Sequence, residues 1–181
     1  MHQILYYILL TFEFVFIMTV FFYVASLLYS SIMGSPYVPT RKNELDYILQ
    51  AAKLKKGDYL LEIGCGDGRF LRRAAQKYGV VGMGVDINRF VLAMARFKTR
   101  RQGISNIEFK AQNIFDTDFG RADAIYIFLM PDFIKKLKGK MERECKRGTL
   151  IISHGFRVEG WETRQTRILA HLPFPTYFYK V

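Results

Sequence analysis

Thirty residues, Ile4 to Met33, carry a single charge, Glu13, and are otherwise filled largely with Leu, Ile, Phe and Val. About 20 consecutive apolar residues suffice to cross a bilayer as a helix, so this run is long enough to span one with tilt or overhang. A buried helix of a soluble domain seldom continues this far unbroken. A cleavable signal peptide has a basic leader and a shorter apolar core, whereas only His2 precedes this one. Residues 1–33 are therefore expected to form one transmembrane helix in contact with the lipid bilayer. Tyr6, Tyr7 and Tyr29 fall near its ends, where amphipathic rings favour the headgroup level. Arg41, Lys42, Lys53, Lys55 and Lys56 all follow the run and none precedes it, which predicts a single-pass protein with its domain facing the cytoplasm. Glu13 has two readings, a functional intramembrane acid or a residue near the interface that stays protonated.

The remainder is a different material. Residues 1–40 hold no Lys or Arg, so residues 41–181 contain all 27 basic residues and 15 of the 16 acids, a balance of 27 − 15 = +12. Two cysteines, Cys65 and Cys145, make no disulfide framework, and neither they nor the three scattered histidines have metal-ligand spacing. No metal is expected. The prolines of Ser35-Pro36-Tyr37-Val38-Pro39-Thr40 bias their predecessors toward extended backbone. That separates the helix from a domain over 43–181 through a linker and pre-core segment, 34–42.

Within the domain, strands and helices alternate. Asn43 is placed to cap a helix whose face is Leu45, Ile48, Leu49 and Ala52, ended by Gly57-Asp58. Strands are expected at Tyr59–Ile63, Val80–Val85, Ile107–Lys110, Ala124–Leu129 and Thr149–Ser153. Between them lie helices with apolar faces Phe70/Leu71/Ala74/Ala75/Tyr78, Phe90/Val91/Met94/Phe97 (closed by Gly103) and Ile134/Leu137/Met141/Cys145. Nearly continuous apolar strands alternating with helices indicate an α/β parallel sheet covered on both faces. Arg167–Leu172 and Thr176–Lys180 are expected to close it as an antiparallel pair.

The turn after the first strand reads Glu62-Ile-Gly64-Cys65-Gly66-Asp-Gly68-Arg69. A glycine-rich strand-to-helix turn aims backbone N–H groups and a positive helix end at a ligand. The dinucleotide fingerprint needs glycines at its first, third and sixth positions. Here the sixth is Arg69, which disfavours a pyrophosphate, and no Gly-Lys-Ser/Thr follows to make a P-loop. Asp86, twenty residues after Gly66, is placed to accept hydrogen bonds from both ribose hydroxyls, or to cap the helix that follows. Glu62 adds negative charge, which suits a ligand with an amine better than one with phosphates.

Glu-Ile-Gly-Cys-Gly-Asp-Gly followed by Gly-Val-Asp resembles the first two motifs of the Rossmann-like, seven-stranded S-adenosylmethionine-dependent methyltransferases, and the resemblance spans 41–181. It implies S-adenosyl-L-methionine as cofactor. Gly64, Cys65, Gly66 and Gly68 with Glu62 would line its amino-acid part, Asp86 and Ile87 the ribose, and Asn113 with the Ile114 backbone the adenine. The apolar helix, then Pro-Tyr-Val-Pro-Thr, Gly-Asp-Gly-Arg and Phe128-Leu129-Met130-Pro131, is similar to a membrane-tethered lysine methyltransferase family. Its mitochondrial members modify the adenine nucleotide translocator and the c-ring protein of ATP synthase. That likeness lays Tyr37 and Thr40 over the cofactor and makes a membrane protein the expected partner. No Arg-rich presequence precedes the apolar run, so mitochondrial import is not expected.

A lysine nucleophile must first lose its proton, and holding it neutral at pH 7 costs about 4–5 kcal/mol. An apolar rim reduces that cost by disfavouring the cation. Phe128, Met130 and Pro131, with Leu129, supply such a rim or are plain strand-end core residues. No side chain stands out as a general base. Basic stretches at Arg96–Arg101 and Lys135–Arg147 suit phosphate tracking. Base-amino methyltransferases, however, share an Asn/Asp-Pro-Pro-aromatic signature that this chain lacks, and anionic headgroups explain the charge more simply. Nucleic acid is thus not the expected partner. Methylation of a lipid or small molecule, and a non-catalytic cofactor-sensing module, stay as alternatives.

Overall fold

The computed structural model describes residues 2–33 and 40–181 and divides into two compact units, Met1–Tyr37 and Val38–Val181. The first contains helix α1, His2–Met33. At 1.5 Å per residue its 32 residues run about 48 Å, longer than a hydrocarbon core of roughly 30 Å. Residues 2–25 suffice by length and composition to cross a membrane. Two of its polar side chains bond back to the helix itself. The Thr11 hydroxyl donates to the Tyr7 carbonyl at 2.8 Å, and Thr19 to Val15 at 2.7 Å.

The second unit contains α2 Lys42–Ala52, β1 Tyr59–Ile63, α3 Arg69–Tyr78, β2 Val81–Asp86, α4 Arg89–Arg101, β3 Ile107–Ala111, β4 Ala124–Ile127, α5 Pro131–Glu144, β5 Leu150–His154, β6 Gln165–Leu169 and β7 Thr176–Lys180. They build a seven-stranded mixed sheet, ordered β3-β2-β1-β4-β5-β7-β6. The first five strands in that order are parallel, and β7 and β6 pair antiparallel at one edge. Alternate strand residues serve opposite faces. Leu60, Tyr126, Ile152 and Phe178 pack with Ile48, Leu49, Phe70, Leu71 and Leu92 of α2–α4. Leu61, Ile125, Ile127 and Ile151 pack with Ile134, Leu137 and Met141 of α5 and with Trp161.

Several local expectations need correction. The cap of α2 is Arg41, without a side-chain bond, and Asn43 is exposed inside the helix. Lys53 ends that helix in the left-handed region, φ 53°, four residues before Gly57. β4 stops at Ile127, so Phe128 and Leu129 leave the sheet and Pro131 opens α5. The largest departure is in α4. It buries Val91, Leu92, Ala95 and Thr99, while Phe90 and Phe97 face outward. The small side chain of Ala95 lets the helix share one core with Phe109 of β3.

Candidate active site

The loop between β1 and α3 is built by reaching across to β2. The N–H groups of Gly64 and Cys65 both donate to the Val85 carbonyl at 2.9 Å, and that of Gly66 donates to Asp86 Oδ2 at 2.9 Å. Gly64, Gly66 and Gly68 all have positive φ, 69°, 52° and 67°. At Gly68 a Cβ would lie 2.3 Å from the Phe109 ring, so glycine is required there on two counts. Asp86 Oδ1 accepts from Asn88 N–H at 2.8 Å, and Asn88 in turn caps α4 through Phe90 and Val91 N–H. Asp86 thus joins the glycine loop to the start of α4. Burial raises its pKa against the lowering by these bonds. Each carboxylate oxygen keeps lone-pair capacity for a second donor.

The remaining expected cofactor residues are placed unevenly. Glu62 is buried and accepts from Leu71 N–H at 3.1 Å. Burial foremost pushes its carboxyl up to about 8, so it is neutral at pH 7 rather than the negative charge expected of it. The Cys65 side chain is buried in the core and its thiol is pushed well up by desolvation, while its backbone is bonded within the fold, its N–H to the Val85 carbonyl and its carbonyl from the Gly68 N–H. Ile87 is exposed next to Asp86. Asn113 is exposed too, but its Oδ1 accepts from Phe115 N–H at 3.0 Å, capping the 3-10 turn Ile114–Asp116. Ile114 is half-buried. Thr40 is buried, its hydroxyl 3.3 Å from the Tyr126 hydroxyl. Tyr37 lies outside the described residues.

The residues following β4 form an edge beside this loop. Leu129 fills the space where a Gly64 side chain would sit, its Cδ2 2.9 Å from that position. The ring of Phe128 is half-buried, 4.4 Å from His154 and 5.5 Å from Phe174. Met130 and Pro131 are exposed. Phe128, Met130 and Pro131 are therefore brought together at the C-terminal edge of the parallel strands, where open α/β sheets bind ligands.

Comparison with known proteins decides the class. Residues 62–165 match the model of the ANTKMT methyltransferase domain. The chain is 33% identical over 132 residues to a protein-lysine N-methyltransferase of Saccharolobus islandicus, covering 72% of this chain and 82% of that one. The chain belongs to this methyltransferase family. It is also 23% identical over 128 residues to the adenine nucleotide translocase lysine N-methyltransferase of Mus musculus, covering 70% of this chain but only 56% of that protein's length. Among solved structures, an RNA methyltransferase from Salinibacter ruber, in complex with S-adenosyl-L-homocysteine, superposes with a TM-score of 0.76. It is 28% identical, with 80% of this chain and 94% of that one covered. The fold is that of the S-adenosylmethionine-dependent methyltransferases.

Two features beside these candidate residues escaped sequence reasoning. Asp67, buried inside the glycine loop, pairs with Arg69 at 2.9 Å and Lys98 at 2.7 Å, which hold its carboxylate low against burial. Arg69 also donates to the Thr40 carbonyl at 3.2 Å, linking the loop to the residue preceding α2. The Gly-Asp-Gly-Arg motif contains both partners and was the available signal. Behind Phe128 lies a buried polar cluster in which His154 Nδ1 and His171 Nε2 share the Thr176 hydroxyl at 2.8 and 3.0 Å. Burial lowers His154 to about 4, so it is neutral, with Nε2 3.9 Å from Glu44 Oε2. These residues are 110 positions apart in sequence, and no local pattern joins them.

Proposed function

We propose that this enzyme transfers the methyl group of S-adenosylmethionine to a lysine amine of a membrane protein, from a domain anchored by α1. The observation that carries the reading is the joint at Asp86. One carboxylate fastens both the glycine loop and the start of α4, with acceptor capacity left for two ribose hydroxyls. Gly64, Cys65, Gly66 and Gly68 then border the amino-acid part through their backbone. Glu62 would face the ligand's ammonium, a charge that would favour its ionised form, the proton passing to solvent. Ile87, Ile114 and Asn113 border the ribose and adenine, and Tyr37 and Thr40 close over the cofactor. The three-part division, anchor 1–33, linker 34–42 and domain 43–181, with the domain in the cytoplasm, belongs to the same proposal.

When bound, the cofactor supplies an electrophilic methyl on a sulfonium, displaced in line. The chain's own task is to align the amine and favour its neutral form, the proton passing to solvent before transfer. Phe128, Met130 and Pro131 offer an apolar edge that disfavours the ammonium form of the incoming lysine. The relative named a protein-lysine N-methyltransferase supports this acceptor. A second reading, RNA methylation, is prompted by the likeness to the RNA methyltransferase from Salinibacter ruber.

The test is to incubate the full-length protein, in membranes, with S-adenosylmethionine labelled in the methyl group. Label should appear on lysine of a membrane protein and should fall sharply with Asp86→Ala. That variant is expected to weaken cofactor binding by about 1.5–3 kcal/mol, as for a lost charge-assisted hydrogen bond. Label confined to RNA or lipid would replace the acceptor, and none at all would favour a non-catalytic module.

A further inference from the structure

The outward face of α4 takes no part in the site described above. Phe90 and Phe97, seven residues apart and so on one line along the helix, are 51% and 60% exposed. They lie opposite the buried stripe of Val91, Leu92, Ala95 and Thr99. Aromatic side chains this exposed need a reason, and their surroundings suggest one. The helix carries Arg89, Arg96, Lys98, Arg100 and Arg101 and no acid. Lys98 is committed to Asp67, and Arg96 donates to the Phe109 carbonyl at 2.7 Å. Arg101 lies over the Phe97 ring at 5.8 Å. Among the described residues, Arg89, Arg100 and Arg101 have no carboxylate within ion-pair distance.

Two rings flanked by uncommitted guanidinium groups match an anionic lipid surface. Rings settle at the headgroup boundary, and guanidinium forks pair with phosphates. A convex helix face gives a nucleic-acid strand no groove to follow. The same chain also carries α1, apolar and long enough to cross a bilayer. For a tethered domain even a weak surface contact is occupied, because its local concentration is high. We propose that the Phe90–Phe97 face of α4, with Arg89, Arg100 and Arg101, docks onto anionic phospholipid headgroups. This rests on the membrane reading of α1.

The experiment uses the protein, residues 1–181, in vesicles of phosphatidylcholine, with or without phosphatidylglycerol, carrying a quencher at the headgroup boundary for reading position 97 or, in a parallel set, deep on the acyl chains for reading position 16. Phe97→Trp reports on α4, and Phe16→Trp reports separately on α1; the native Trp161 is buried. The indole at position 97 should be quenched with the anionic lipid and little without it. Arg89→Gln, Arg100→Gln and Arg101→Gln, added to that variant, should each lower the docked-to-undocked ratio about fivefold, with thermal melting unchanged. Position 16 should be quenched in both lipids. Quenching at 16 but not at 97 overturns the docking and leaves the membrane reading intact, whereas absence at both overturns both. Equal quenching at 97 in neutral lipid overturns the role of charge. Shielding of that indole by added RNA, or by raising the protein concentration, with no response to anionic lipid, hands the face to nucleic acid or to a second copy.

Discussion

Glu62 holds a proton that an ordinary carboxyl has lost at neutral pH, because its strand is buried on both faces and one backbone N–H is its hydrogen-bond partner. The folded chain keeps that proton to about 8, while an unfolded one releases it near 4.5. The contribution of Glu62 to stability is therefore complete below the lower value and is lost as pH rises through the upper one. Glu62→Gln retains an oxygen for the Leu71 N–H and cannot ionise. It should flatten the decline of melting temperature with pH across this window, as read by thermal melts on either side of it. An unchanged slope would show that Glu62 is ionised in the fold. The sequence located this acid on the right strand but gave no measure of its depth, since burial depends on β4 and α3 lying over it. Cys65 shows the same limit. Its position in the loop was legible, yet which way its side chain turned was not.

Elements were read well where one local pattern dominates. The strand Tyr59–Ile63, its glycine turn and the pair closing the sheet follow from apolar runs bounded by Gly and Pro. β2, β3, β4, β5 and β6 differ from expectation at their ends, because strand ends are set by partners rather than by composition. The face of α4 was misread because the hydrophobicity of Phe90 and Phe97 outweighed that of Ala95 and Thr99, which are small enough to approach the sheet. Cap residues were harder still, since α2 starts without the side-chain bond that Asn43 offered. The glycine turn can be tested as an element by paired substitutions. Gly68→Ala places a methyl against the Phe109 ring at positive φ, and should cost about 2–5 kcal/mol. Gly103→Ala, with similar φ and nothing within 4 Å of a new Cβ, should cost about 1–2 kcal/mol. Urea titration of both proteins in detergent measures the difference, and equal costs would remove close packing as the reason for Gly68.

For the whole molecule, the proposal is that the anchor selects the acceptor while the domain holds the cofactor. Residues 1–33 contribute none of the proposed cofactor ligands, so deleting them should leave S-adenosylmethionine affinity unchanged by calorimetry. Methylation of a membrane acceptor should drop steeply, and methylation of a peptide bearing the same lysine should not. Equal losses on both substrates would mean that the anchor supports the fold. The strand order has a consequence of another kind. Apart from Tyr37 and Thr40, the proposed cofactor residues come from 62–114 and the acceptor edge from 128–131, and the sheet brings the two stretches together where β1 meets β4. Each function is thus inherited in a continuous length of chain. A recombination crossover between residues 115 and 123 would exchange the acceptor edge of two homologues and leave each cofactor loop whole. The Leu129–Gly64 contact is the junction that every such chimaera must re-form.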